Sequence, residues 1–350
     1  MNLLPRWLQR RPAAPAASLE AVLNAGTWAS TEDLVALQRH AAKVELRQAG
    51  PARARMGGDR LSRMRGRGMD YQESRDYQPG DDVRSMDWRL TARTGKPHVK
   101  IFQEERERPV VLFVDLNPGM FFGSRGMLKS VAASRAAALI AWAAAERGDR
   151  VGAMLFNGGH HDLEPRGGKH GVLQLIRLLV KQTDPRQGVE GLADPAGLNG
   201  ALSRLRRVAR PGSLVVLIGD YYAIDEDSAK HLMRLRQHND VVAIQVVDPL
   251  EEAAPPGDRY GITDGGWRGV LDTRTVAARR DYQEFFGRHH RAVAAVMRRQ
   301  AIPLLRLSTA DDLVGCLRSF FAGANSVAPD DAPAAMTAAP APKPSNVVPA

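Results

Sequence analysis

Val110-Val-Leu-Phe-Val114, closed by Asp115, is the stretch on which the reading of the fold turns. Five apolar residues in a row, three of them valine, suit a strand buried on both faces. A segment of helical period follows at Lys129–Arg147, and then another such run, Val151-Gly-Ala-Met-Leu-Phe156. The alternation continues through Ser213-Leu-Val-Val-Leu-Ile218, Val241-Val-Ala-Ile-Gln-Val-Val247 and Pro303-Leu-Leu-Arg-Leu307, with helical patterns at Gly171–Lys181, Pro195–Ala209, Asp227–His238, Val276–Gln300 and Asp311–Phe321. Leu175, Ile176 and Leu179 share one helix face, and Leu198, Leu202 and Leu205 share another. Strand and helix alternating in this way predict a doubly wound α/β fold with a mainly parallel sheet. Between two β-like runs of Tyr260–Leu271, Asp264-Gly265-Gly266 predicts an inserted hairpin.

Outward from this core, Thr31 is read as the cap of a helix with apolar Leu34, Leu37, Ala41 and Val44 at helical spacing. Residues 1–30 form a leader expected to be mobile. Residues 322–350 hold 10 Ala and 6 Pro and no aromatic, so that tail has nothing to bury. The expected organisation is therefore the leader, a helix with a charged accessory subdomain over 31–108, an α/β domain over 109–321 and a disordered tail.

At 350 residues and 44% hydrophobic, the chain can build a large core, which excludes global disorder. One cysteine, Cys316, rules out an internal disulfide and a Cys-rich zinc site. The longest apolar run, Ala136–Ala145, has ten residues, about half the length a membrane span requires. With no apolar signal segment before Pro12, the chain is read as cytoplasmic. The net charge of +10 concentrates in Arg39–Arg67, where nine Lys/Arg face Glu45 and Asp59. That run lacks the interleaved aromatics of a base-stacking surface, so nucleic acid is disfavoured as a partner.

Two carboxylates fall where open α/β sheets bind ligands, at the carboxyl ends of strands: Asp115, and Asp220 just beyond Ser213–Ile218. Such a pair suits a hard divalent cation such as Mg2+, or each Asp simply caps the turn that follows. Gly167-Gly-Lys-His lacks the outer residues of a phosphate loop, and no serine sits in a Gly-x-Ser-x-Gly elbow. His160-His161 and His289-His290 lack zinc-ligand spacing and are expected on surface loops or helices. No catalytic set emerges.

Asp115-Leu-Asn-Pro-Gly-Met120 resembles the Asp-x-Ser-x-Ser strand end of the metal-ion-dependent adhesion site in von Willebrand factor A domains, with Asn117 and Gly119 in place of the serines. Where that family has a later threonine, the best match is Ala193 beside Asp194. The resemblance implies a degenerate Mg2+ site on Asp115, Asn117 and Asp220. A longer segment, Gly66–Arg108, containing Tyr77-Gln-Pro-Gly-Asp-Asp-Val-Arg-Ser-Met-Asp-Trp88, resembles the hallmark of domain-of-unknown-function family fifty-eight, as does Asp248-Pro-Leu-Glu-Glu252. Members of that family place the hallmark before a von Willebrand factor A-like core. The resemblance implies a non-enzymatic adaptor acting with a MoxR-type AAA+ ATPase on a client protein complex.

Glu73–Arg108 contains eight acidic and eight basic residues, a balance suited to internal ion pairs or a specific protein partner. Val99-Lys-Ile-Phe is read as a strand leading into the main sheet. Trp88 either anchors a partner interface, formed or supported by Arg75, Asp81, Asp82, Arg84, Asp87 and Arg93, or plugs the subdomain against the core. The alternative function is a metal-dependent phosphoester hydrolase built on Asp115, Asp194 and Asp220.

Overall fold

The computed structural model describes residues 26–46, 69–79, 81–104, 109–184, 195–263 and 268–323. The decisive stretch is strand β3 (Pro109–Asp115), buried from Val110 to Asp115. Around it lie β4 (Arg150–Phe156), β5 (His160–Arg166), β6 (Leu214–Gly219), β7 (Asp240–Val247) and β10 (Leu304–Ser308), in the order β10-β7-β6-β3-β4-β5. Every neighbouring pair is parallel except β4 with β5. Strand order reverses at β3, so the crevice between the ends of β3 and β6 is the topological switch point.

The period of two along β3 divides the core. Val110, Leu112 and Val114 face helices α3 (Lys129–Glu146), α4 (Gly168–Gln182) and α9 (Leu313–Phe321), whereas Val111 and Phe113 face α5 (Pro195–Val208), α6 (Glu226–His238) and α8 (Val276–Arg299). Fifteen of the 18 residues of α3 are buried. Its alanines let the sheet approach from one side and the N-terminal helix α1 (Thr31–Ala36) with its following turn of 3-10 helix from the other. Leu34, Leu37, Ala41 and Val44 are all buried in this core, and Trp142 donates its indole N–H to the carbonyl of Leu34 at 3.0 Å. The cap of α1 is Ser30, whose hydroxyl accepts from the Asp33 amide; Thr31 is the first helical residue.

β5 carries no apolar run and was not legible as a strand. Its alternating exposure, its charges and Pro165 are those of an edge strand. A bulge at Gly152 admits it, since a Cβ there would lie 2.8 Å from the Pro165 ring.

Val99-Lys-Ile-Phe does not join the main sheet. It belongs to β2 (His98–Glu104), which pairs antiparallel with β1 (Met69–Asp76) in a separate two-stranded sheet crossed by the short helix α2 (Trp88–Thr94). A second separate pair, β8 (Arg259–Thr263) with β9 (Arg268–Asp272), is the inserted hairpin; its Asp264-Gly265-Gly266 turn lies outside the described residues, as do Gly80 of the hallmark and most of the Arg39–Arg67 run. Among the described residues, no helix is long and apolar enough to cross a membrane.

Candidate functional site: a strand-end crevice filled by a lysine

Asp115 ends β3 and Asp220 follows β6; both, with Asn117, are buried at the switch point. Each aspartate closes a local turn: Asp115 Oδ1 accepts from the Asn117 amide at 3.0 Å, and Asp220 Oδ1 accepts from the Tyr222 amide at 3.2 Å. Tyr221, between Asp220 and Tyr222, holds a left-handed backbone at φ 61°, an uncommon state for a bulky residue. It is held there by its hydroxyl, which donates to the Leu217 carbonyl at 2.8 Å. The capping reading of the two carboxylates therefore has direct geometric support.

Beside Asp220 lies a side chain that sequence reasoning missed, and it bridges Asp220 to Glu251. Lys129, the first residue of α3, is 1% exposed. Its ammonium donates to Glu251 Oε1 at 2.7 Å and to Asp220 Oδ2 at 3.2 Å, and lies 5.5 Å from the centre of the Tyr222 ring. A cation at a helix N-terminus opposes the helix dipole, so the two carboxylates must overcome both that repulsion and the loss of hydration. Burial pulls the Lys129 ammonium down, but the charges of Asp220 and Glu251 and the hydrogen bonds to them outweigh it, and its pKa is raised overall. It stays charged.

Glu251 is positioned by the Asp248-Pro-Leu-Glu-Glu252 turn. Asp248 caps helix α7 (Pro249–Glu252) through the Leu250 amide at 2.9 Å, and Glu251 Oε2 accepts from the Asp248 amide at 2.9 Å, leaving Oε1 for the lysine. Asp248, fully buried, also receives the Ser124 amide at 2.8 Å, the Ser124 hydroxyl and the Thr309 hydroxyl at 3.2 Å. One carboxylate thus ties the loop after β3 to the end of β10. The Asp-x-x-Glu spacing of a capping box was visible in the sequence, but the Lys129 partnership spans 122 positions and had no signal there.

His289 and His290 lie on helix α8, as one of the expected placements had it, but face inward: His290 is buried and His289 half-buried. His289 donates its Nε2–H to the Asp220 carbonyl at 2.9 Å and stacks on Tyr222 with ring centroids 3.8 Å apart. The ring of His290 lies between the Glu251 carbonyl, 3.3 Å from Nε2, and the Gln245 amide, 3.2 Å from Nδ1. Those partners fit a neutral imidazole, and burial pushes its pKa down to about 4. Asp115 moves the other way: burial, and then the charge of Asp220, raise it to about 7.

As they stand, these donors do not fit a divalent cation. Asp220 is engaged by Lys129, and Gly119 offers no side chain; a Cβ there would lie 2.8 Å from Asp220 Oδ2. Among the described residues, no group of three or more His, Cys, Asp or Glu is placed to hold a metal. Ala193 and Asp194 lie outside the described residues, so the three-aspartate arrangement of the hydrolase reading has no geometry here.

The residues of the hallmark divide into builders and presenters. Arg75 and Asp81 pair at 2.7 Å, a contact that, with the Gln78 amide, lowers the Asp81 carboxyl. Asp82 caps a turn of 3-10 helix over Val83–Ser85. Asp87 caps α2 through the Leu90 amide and accepts the Ser74 hydroxyl at 3.0 Å from β1; the Leu90 bond is the chief cause of its lowered pKa. Arg84 and Arg93 point to solvent, and Trp88 is 63% exposed, with Val83 55% exposed near it in sequence. The indole is not a plug.

The family model described as "Protein of unknown function DUF58" matches residues 73–292, from the hallmark to the crevice-facing turns of α8. The chain belongs to the DUF58 family. Uncharacterised proteins of Mycobacterium bovis and Mycobacterium tuberculosis are each 32% identical to it over 268 residues, 76% of this chain and 82% of theirs. Among solved structures, a conserved hypothetical protein, BatB, from Bacteroides thetaiotaomicron is similar over 62% of this chain and 98% of its own, at 12% identity and a TM-score of 0.40. A von Willebrand factor type A protein from Catenulispora acidiphila is similar over 65% of this chain and 43% of its own, at 9% identity and a TM-score of 0.33. The fold assignment rests on the strand order itself. The DUF58 match takes in both the Trp88 helix and the residues Asp115, Lys129, Asp220, Asp248 and Glu251.

Proposed function

We propose that this DUF58 chain is a non-enzymatic protein–protein interaction module of the cytoplasm, an adaptor that works with a MoxR-type AAA+ ATPase in maturing or remodelling a client complex. The observation that carries the reading is the exposed Trp88. A large aromatic left in water on a capped helix, among exposed Arg84, Arg89 and Arg93, has the composition of an interface anchor. Asp81, Asp82, Asp87 and Arg75 support this surface by fixing the turns and the helix that present it.

The test is titration of the purified full chain against a purified MoxR-type ATPase from the same source. Trp88→Ala is expected to weaken binding by about 30-fold or more, the loss of a hot spot of about 2 kcal/mol. Its melting temperature should remain that of the parent, because the ring makes little buried contact. Asp82→Ala is a poorer probe, since it also removes a cap. Equal affinity of parent and Trp88→Ala for the ATPase, or no affinity of the parent, defeats the proposal.

A further inference from the structure

We propose that the ammonium of Lys129 takes the place of a divalent cation in the strand-end crevice, so that this site works without metal. This role of Lys129 depends on neither the identity of a partner nor the adaptor function. Lys129 reaches the switch point between β3 and β6, where the strand-end carboxylates converge, and neutralises Asp220 and Glu251 from one buried atom. Nothing about α3 itself favours a lysine at this position. As the first residue of a helix it meets the positive end of the dipole, and an amphipathic side chain there ordinarily runs to solvent. Its burial at 1% is therefore imposed by the two anions.

The surroundings agree. On the β3 side, Gly119 presents bare backbone to the Asp220 carboxylate, at a distance that leaves no room for a hydroxymethyl ligand. The ammonium lies over the Tyr222 ring, an arrangement suited to a monovalent organic cation rather than to a hydrated metal ion. The remaining oxygens of the two anions are also committed, Glu251 Oε2 to the Asp248 amide and Asp220 Oδ1 to the Tyr222 amide. A metal entering the crevice would have to displace the lysine and compete with both backbone bonds.

Calorimetry and thermal melting of the full chain with MnCl2 and MgCl2 test the proposal. The parent should take up neither ion at millimolar concentration, and EDTA should leave its melting temperature unchanged. Lys129→Ala removes the ammonium and leaves Asp220 and Glu251 around the vacated space. It should gain Mn2+ binding at least tenfold tighter than any shown by the parent, with a rise in melting temperature on adding the ion. Lys129→Ala/Asp220→Asn should lose that gain. Mn2+ or Mg2+ binding by the parent that Asp220→Asn abolishes overturns the proposal, and this arm stands even if Lys129→Ala fails to fold. A folded Lys129→Ala that takes up no Mn2+ overturns it equally.

Discussion

Lys129→Met is expected to destabilise the protein by about 3–5 kcal/mol near neutral pH, the usual penalty for removing one partner from a buried ionic cluster. Methionine matches the length and apolar stem of lysine, so the loss reports on charge more than on packing. What remains is Asp220 and Glu251, 3% and 6% exposed, without the ammonium that lay 3.2 and 2.7 Å from them. The triple variant Lys129→Met/Asp220→Asn/Glu251→Gln should regain more than half of the loss, because a neutral set needs no counter-charge. Urea unfolding of the parent, the single and the triple variants measures both quantities. A Lys129→Met loss below about 1 kcal/mol would show that the cluster carries little net electrostatic stress.

Asp115→Asn is expected to make the protein more stable in mild alkali. In the folded state burial and Asp220 hold the Asp115 carboxyl at about 7, above the ordinary 3.8 of an aspartate. Between those two values the folded state keeps a proton that the unfolded chain releases, so stability falls as pH rises from about 4 to about 7 and stays lower above that. Over pH 5 to pH 8 this one group removes about 2–3 kcal/mol from the parent. His290 acts with the opposite sign, because a folded pKa of about 4 below an unfolded 6.5 makes stability fall as pH drops through that range. The two slopes offset each other in the parent alone. The difference between the Asp115→Asn and parent curves isolates the carboxyl, since asparagine keeps an oxygen to accept the Asn117 amide. That difference should grow from pH 5 to pH 8, and a flat difference would place the Asp115 pKa near that of an ordinary carboxyl.

The fold of this DUF58 protein is legible in its sequence wherever burial writes a local pattern. β3, β4, β6, β7 and β10 coincide with the apolar runs to within a residue or two at their ends, because a strand covered on both faces must be apolar throughout. The amphipathic helices α4 and α5 bury the faces their leucines predict. β5 escaped because an edge strand is written in charges and proline, and β1 because its residues, Met69-Asp-Tyr-Gln-Glu-Ser-Arg-Asp76, have no apolar alternation. Val99 is buried as a strand residue should be, yet its sheet is the small one; strand partners are not written in a strand.

The crevice shows the same division at the level of chemistry. Sequence alone placed Asp115 and Asp220 at the carboxyl ends of two strands, because strand ends follow from apolar runs; that the two strands are neighbours at the switch point is set by the strand order of the folded sheet. The Asp248-Pro-Leu-Glu-Glu252 segment stood out only through the family resemblance; its capping role, a three-residue pattern set by helix geometry, came with the structure. The sequence could not show that Lys129 fills the space between Asp220 and Glu251. A lysine opening a helix looks in sequence like any solvated lysine, and its burial is decided by two anions 91 and 122 positions away. Nor could it decide whether Trp88 lies in the core or in water, since an indole suits both; only the packing around α2 leaves it exposed. Local periodicity and strand order determine the scaffold and the positions of its acids, whereas what those acids bind is set by charges that meet only when the chain has folded.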